Sequence, residues 1–140
     1  MSFREKSAWI SFFLILVVFG IYFADYTAHL LRPGYPHHNY FAMFVLGVVA
    51  VVILEVVLHI LVAIRSPADA NAPADERDRL INLKAARIAF YVLMSLAFLT
   101  IGTMHLGATA FFMGNCIFFA IWLAELTRFG SQIVLYRRLA

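Results

Sequence analysis

The chain has 140 residues, of which 64% are hydrophobic and 14% charged, and its mean hydropathy is +0.87. A soluble domain of this size has too little interior to hide that much apolar surface, so the composition excludes a water-soluble globular protein and makes lipid the solvent. The formal charge of +3 has to be read by position before it says anything about partners, and the single cysteine, Cys116, excludes an intrachain disulfide.

A membrane-crossing helix needs about 20 mainly apolar residues. The first such stretch is predicted at about 7–31. Its apolar run from Ala8 to Ala24 exceeds a signal-peptide core, no A-x-A site follows, and Asp25 stands where small neutral residues would be. A retained first helix is therefore expected. Within it, "ADYTAHLL" sets Asp25 and His29 one turn apart.

The segment "RPGYPHHNY" carries Pro33, Gly34 and Pro36 together with His37 and His38, and reads as a turn. A second span is predicted at about 40–64, with Glu55 and His59 repeating the carboxylate-to-histidine spacing. The linker at about 65–84 is the one distinctly polar segment. There Ser66 and Asp69 resemble a capping box, and Pro73 suits a first helical turn. Asp75, Glu76 and Asp78 suit a helix N-terminus, and Asp75 with Arg79 makes an i,i+4 pair.

Third and fourth spans are predicted at about 85–105 and 108–136. The short "HLGAT" turn between them forces antiparallel neighbours. The expected fold is an all-α membrane protein, one domain over 1–140, with four transmembrane helices in an antiparallel bundle. An internal echo adds to this. Lys6, Ala8, Ile10 and Phe12 match Lys84, Ala86, Ile88 and Phe90, while Phe41, Met43 and Glu55 match Phe111, Met113 and Glu125. Two tandem two-helix repeats would produce that pattern.

In an up-down-up-down chain, every basic residue except Arg32 falls on one side. That side is expected to be cytoplasmic, with both termini inside. The charge excess is then a topology signal, and direct nucleic-acid binding is not expected. Trp9 and Tyr136 suit the inner interface, Tyr35 and Tyr40 the outer one.

Charged groups inside spans cost about 2.5–3.5 kcal/mol each on insertion scales, so they should face protein or mark a site. Glu55, His59, Glu125 and Arg128 form an inner layer, read as a polar clasp between helices; the other reading is an oligomeric proton-coupled transporter or channel. A spacing of four residues puts each carboxylate and its histidine on one helix face, where the carboxylate can accept an imidazole hydrogen bond and set its tautomer. Asp25, His29, His37, His38 and His105 gather toward the outer side, with Met43, Met104 and Met113 nearby. Those donors fit a zinc or copper ion, and His29 with His105 would suit axial haem ligation. No HExxH, CxxC, P-loop or nucleophile motif is present, so no catalytic residues are assigned.

The stretches "FREKSAWIS", "NAPADERDRLINLKAARIAFYVL" and "RFGSQIVLYRR" resemble a group of small four-span bacterial inner-membrane proteins without an established activity. The DERD-type segment, Asp75 to Asp78, and the YRR ending, Tyr136 to Arg138, carry the likeness, which covers nearly the whole chain. His59 stands where such proteins often have a helix 2 histidine. The resemblance implies a sensory or regulatory setting, since members tend to be encoded beside small helix-turn-helix regulators.

The leading expectation is a non-enzymatic accessory or interaction protein of the bacterial inner membrane. It would self-assemble or bind another membrane protein, and its cytoplasmic residues Asp75, Glu76, Arg77, Asp78 and Arg79, with Arg137 and Arg138, would contact a partner.

Overall fold

The computed structural model describes residues 3–36, 38–65, 67 and 75–138. The chain is all-α. Its four long helices among the described residues are α1 (Phe3–Leu31), α2 (Tyr40–Arg65), α3 (Glu76–Met104) and α4 (Ala110–Arg138). Each is long and apolar enough to cross a membrane, and a 29-residue helix reaches about 43 Å at 1.5 Å per residue. The chain divides into two compact units, Met1–Asn71 and Ala72–Ala140. Each unit contains one packed helix pair, α1 with α2 and α3 with α4.

Short polar side chains and one glycine account for the helix ends. Asn39 starts α2 by accepting the Ala42 N–H through its side-chain oxygen at 3.1 Å, and Asp75 starts α3 by accepting the Glu76 N–H at 2.7 Å. Beyond α3, Gly107 turns left-handed at φ 75°. Its N–H reaches the Met104 carbonyl at 3.1 Å, and the Ala108 N–H reaches that of Thr103 at 3.2 Å. Thr109 Oγ1 then accepts the Phe112 N–H at 3.2 Å and opens α4. The "HLGAT" turn thus closes one helix and caps the next within five residues. Ser66, Asp69 and Pro73 of the expected linker capping lie outside the described residues.

In the first hairpin, α1 buries Ala8, Ser11, Ile15, Phe19, Tyr22 and Tyr26. These recur at threes and fours, which makes one seam along the helix. The seam packs in a regular antiparallel register. Ser7 meets His59, Phe19 meets Gly47, and Tyr26 meets Tyr40; in each pair the residue numbers total 66. A Cβ on Gly47 would stand 3.1 Å from Phe19 Cε1, so the glycine is the hole into which this ring fits. Apart from Tyr40 and Val51, α2 buries none of its side chains, as a helix apolar all round does when lipid covers it.

In the second hairpin, Ile81, Ala85 and Ala89 form the buried line of α3, and Ala120, Ala124 and Ile133 are buried on α4. Small residues on both helices let the backbones approach closely, which is how apolar helices associate where no hydrophobic effect separates them from lipid. Each unit holds two helices, as a two-helix repeat requires, but the residues matched between α1 and α3 do not share faces. Ala8 is buried at 2% exposure and Ala85 at 0%, whereas Ala86, the echo partner of Ala8, is exposed.

Candidate functional site

The polar chemistry of the first hairpin sits at its two ends. At the loop end, the N–H of Arg32 still reaches Ala28, and the N–H of Tyr35 reaches the Arg32 carbonyl at 3.1 Å. Gly34, at φ 80°, turns the chain back over the end of α1. This puts two loop residues on Asp25. The Tyr35 hydroxyl donates to Oδ1 at 2.8 Å, and His38 Nδ1 donates to Oδ2 at 2.9 Å. The carboxylate side chain is 16% exposed and the imidazole 43%. Donating to a carboxylate favours the neutral phenol, and it holds the Tyr35 pKa above its usual value.

Asp25, predicted to work with His29, thus takes Tyr35 and His38 of the loop as partners. The His29 ring lies 5.5 Å from that of Tyr40, which in turn meets Tyr22 and Tyr26 edge-on. His105 ends α3 in the other unit as an exposed C-cap residue, and His37 lies outside the described residues. Among the described residues, no three His, Cys, Asp or Glu side chains converge as a metal-holding group.

At the opposite end of this hairpin, His59 Nδ1 lies 2.7 Å from the backbone carbonyl of Glu55, and Nε2 lies 2.5 Å from Ser7 Oγ. A carbonyl can only accept, so Nδ1 carries the proton and Nε2 is the acceptor of the neutral ring. Ser7 then donates to Nε2. The expected partner of His59 is the Glu55 carboxylate, whereas the bond here is to the Glu55 main-chain carbonyl. The contact with Ser7 was not expected from sequence. Its signal is the register itself, because a hairpin totalling 66 brings Ser7 to His59.

The second hairpin concentrates polar contacts where α3 begins and α4 ends. Arg77 Nη2 donates to the Tyr136 carbonyl at 3.1 Å, the Tyr136 hydroxyl donates to Asp78 Oδ1 at 3.0 Å, and Gln132 donates to Asn82 at 3.0 Å. Tyr136 is only 6% exposed. Asp75 caps α3 through its side chain, while its carbonyl takes the Arg79 N–H at 3.1 Å; this backbone bond stands at the spacing predicted for a side-chain pair. Glu76, Arg79 and Arg138 are exposed. Farther along α4, Arg128 Nη2 pairs with Glu125 Oε2 at 2.7 Å, and its guanidinium lies 4.5 Å above the Phe129 ring.

No family model, no curated protein and no solved structure matches the chain. The geometry of the two hairpins therefore carries the functional reading. Two arrangements have chemical content beyond packing: a histidine held by a carboxylate at one end of the first hairpin, and a serine–histidine pair at the other. The polar lock of the second hairpin instead fixes a charged surface.

Proposed function

We propose that this is a bacterial inner-membrane accessory protein that recognises a partner through the cytoplasmic end of its second hairpin. The positions of the basic residues support both termini being inside. The observation that carries the reading is the double engagement of Tyr136, whose carbonyl takes Arg77 and whose hydroxyl gives to Asp78. These contacts hold the first turn of α3 against the last turn of α4, and Glu76, Arg79 and Arg138 stand outward on that rigid base. A preordered charged surface loses little side-chain and backbone freedom on binding.

The five-residue set read from sequence thereby divides by role. Asp75, Arg77 and Asp78 build the platform, and Glu76 and Arg79 face the partner, either another membrane protein or a cytoplasmic one. The test is crosslinking in intact membranes with Glu76→Ala and Arg79→Ala combined. The crosslinked complex should disappear while membrane abundance and helicity stay unchanged. An undiminished complex would refute the assignment.

A second reading places a cation at the other rim of the first hairpin. Its support is the Asp25–His38 contact, because a carboxylate on one ring nitrogen orients the other as a metal ligand. Zinc bound stoichiometrically by purified protein and lost in Asp25→Asn would support it. Equal zinc content in the two proteins would remove it.

A further inference from the structure

Ser7 and His59 have the arrangement of a nucleophile and its base, and they lie where acyl groups are within reach. Ser7 is four residues into α1 and His59 six residues from the end of α2, so both are near a membrane surface whichever way the hairpin points. Both are partly exposed. The Nδ1–H of His59 is committed to the Glu55 carbonyl, which fixes the ring and its tautomer and aims the Nε2 lone pair at Ser7 Oγ. A third group orienting the base is the feature that separates activated nucleophiles from isolated hydroxyls. Here a main-chain carbonyl fills that role.

A second observation gives the substrate class. An open cavity of about 430 Å3 is lined by Trp9, Ile10, Phe13, Leu14, Val17 and Leu58. Ile10 and Leu14 follow Ser7 at i+3 and i+7, on its own helix face, and Leu58 adjoins His59. The groove is apolar throughout, and its Ile10 and Leu58 walls stand within one helical turn of Ser7 along α1 and of His59 along α2. Such a shape suits a hydrocarbon chain ending in a carbonyl. The positive end of the α1 dipole favours negative charge developing there.

We propose that Ser7 and His59 form an acyl-accepting dyad, which transfers a fatty acyl group from an ester or thioester donor to Ser7. Ser7 Oγ forms the new C–O bond to the acyl carbonyl carbon while its proton moves to His59 Nε2. The bond from that carbon to the donor oxygen or sulfur breaks with its electron pair, and the leaving group takes the proton from Nε2. The products are an O-acyl ester at Ser7, a free alcohol or thiol, and a neutral His59. This activity belongs to the first hairpin and does not depend on the partner surface proposed for the second.

Intact-mass measurement of the full-length protein tests the proposal. The protein is exposed to a fluorophosphonate probe, to an octanoyl thioester, and to vesicles of a dioleoyl phospholipid. The probe should label Ser7, and one donor should leave its own acyl mass there, octanoyl for a soluble carrier or oleoyl for a bilayer lipid. Ser7→Ala should abolish both adducts, and Ser11→Ala should keep them. His59→Gln retains an amide where Nε2 stood but is no base, so acylation should slow roughly a hundredfold. No adduct from any reagent, an adduct on another residue, or one formed equally fast in His59→Gln would overturn the proposal. Should Ser7→Ala fail to fold, Ser7→Cys in a Cys116→Ser background replaces it. Its alkylation by iodoacetamide at neutral pH should slow on adding His59→Gln, and an unchanged rate would count equally against the dyad.

Discussion

Tyr136 accepts a hydrogen bond from Arg77 through its backbone carbonyl at 3.1 Å, one of the last carbonyls of α4, which a helix leaves without an intrahelical partner. The same residue gives its hydroxyl to Asp78. The DERD-type segment and the YRR ending thus meet each other across the hairpin. Tyr136→Phe keeps the buried ring and removes only the hydroxyl. It should lower the stability of the detergent-solubilised protein by roughly 1 kcal/mol, read as an earlier loss of helicity on heating. Arg77→Ala should lower it too, by uncapping α4. A Tyr136→Phe protein as stable as the wild type would mean that the bond to Asp78 contributes nothing.

Tyr35 provides a pH readout of the loop end. Its phenol is raised, chiefly because it donates to the Asp25 carboxylate. The sign follows from which form is preferred. A group whose folded pKa lies above its unfolded value adds stability that is fully present below the unfolded value of about 10, and that stability is lost as pH rises through the folded value. The tyrosinate absorbance difference between wild type and Tyr35→Phe should therefore develop above pH 10, and in Asp25→Asn it should move back toward 10. A difference curve that ignores Asp25→Asn would show that the hydrogen bond is not maintained in solution.

Gly47 allows a sharp comparison with the other helical glycines. A methyl at Gly47 would press on the Phe19 ring, whereas Gly20, Gly102 and Gly114 have nothing within 4 Å of an added Cβ. Overpacking costs about 1–3 kcal/mol. Gly47→Val should destabilise the first hairpin by that amount, and Gly20→Ala and Gly114→Ala should be neutral or slightly stabilising, because alanine favours helix. The measurement is thermal unfolding of the variants side by side.

The four helices could be read from the sequence because apolar run length is nearly sufficient to identify a membrane-spanning segment. The faces of those helices could not, because lipid and protein are equally apolar surroundings. Ala8 and Ala86 match in the echo, yet Ala8 is buried and Ala86 exposed, with Ala85 taking the buried place. Pattern alone does not locate a seam made of alanines. The same ambiguity hid Ser7, which needs the hairpin register to find His59. Asp25 was legible as a polar centre, while its partners Tyr35 and His38 come from a loop whose path depends on Gly34.

That seam is itself testable. Ala85 is fully buried on α3 in the hairpin where α3 packs on α4, and Ala86 is one residue around the helix and exposed. Ala85→Leu should push α3 from α4 and cost about 1–3 kcal/mol. Ala86→Leu should leave stability nearly unchanged, since leucine and lipid pack equally well. If both substitutions are tolerated alike, α3 does not pack on α4 through this face.

Glu125 and Arg128 pose the last question, whether their pairing or their polarity matters. They are bonded at 2.7 Å within α4, each side chain 39% exposed, and the guanidinium also rests on Phe129. Neutralising each other lets two charges enter a span that would exact about 2.5–3.5 kcal/mol from either alone. Removing one partner leaves the other uncompensated, which is worse than removing both. Arg128→Met alone should therefore reduce the amount of folded protein recovered from membranes more than the Glu125→Gln, Arg128→Met double variant does. The double-mutant cycle built from the unfolding of all four proteins should give a favourable coupling of about 1 kcal/mol or more. A coupling near zero, with Arg128→Met no worse than the double variant, would show that Arg128 contributes through its contact with the Phe129 ring and not through its charge.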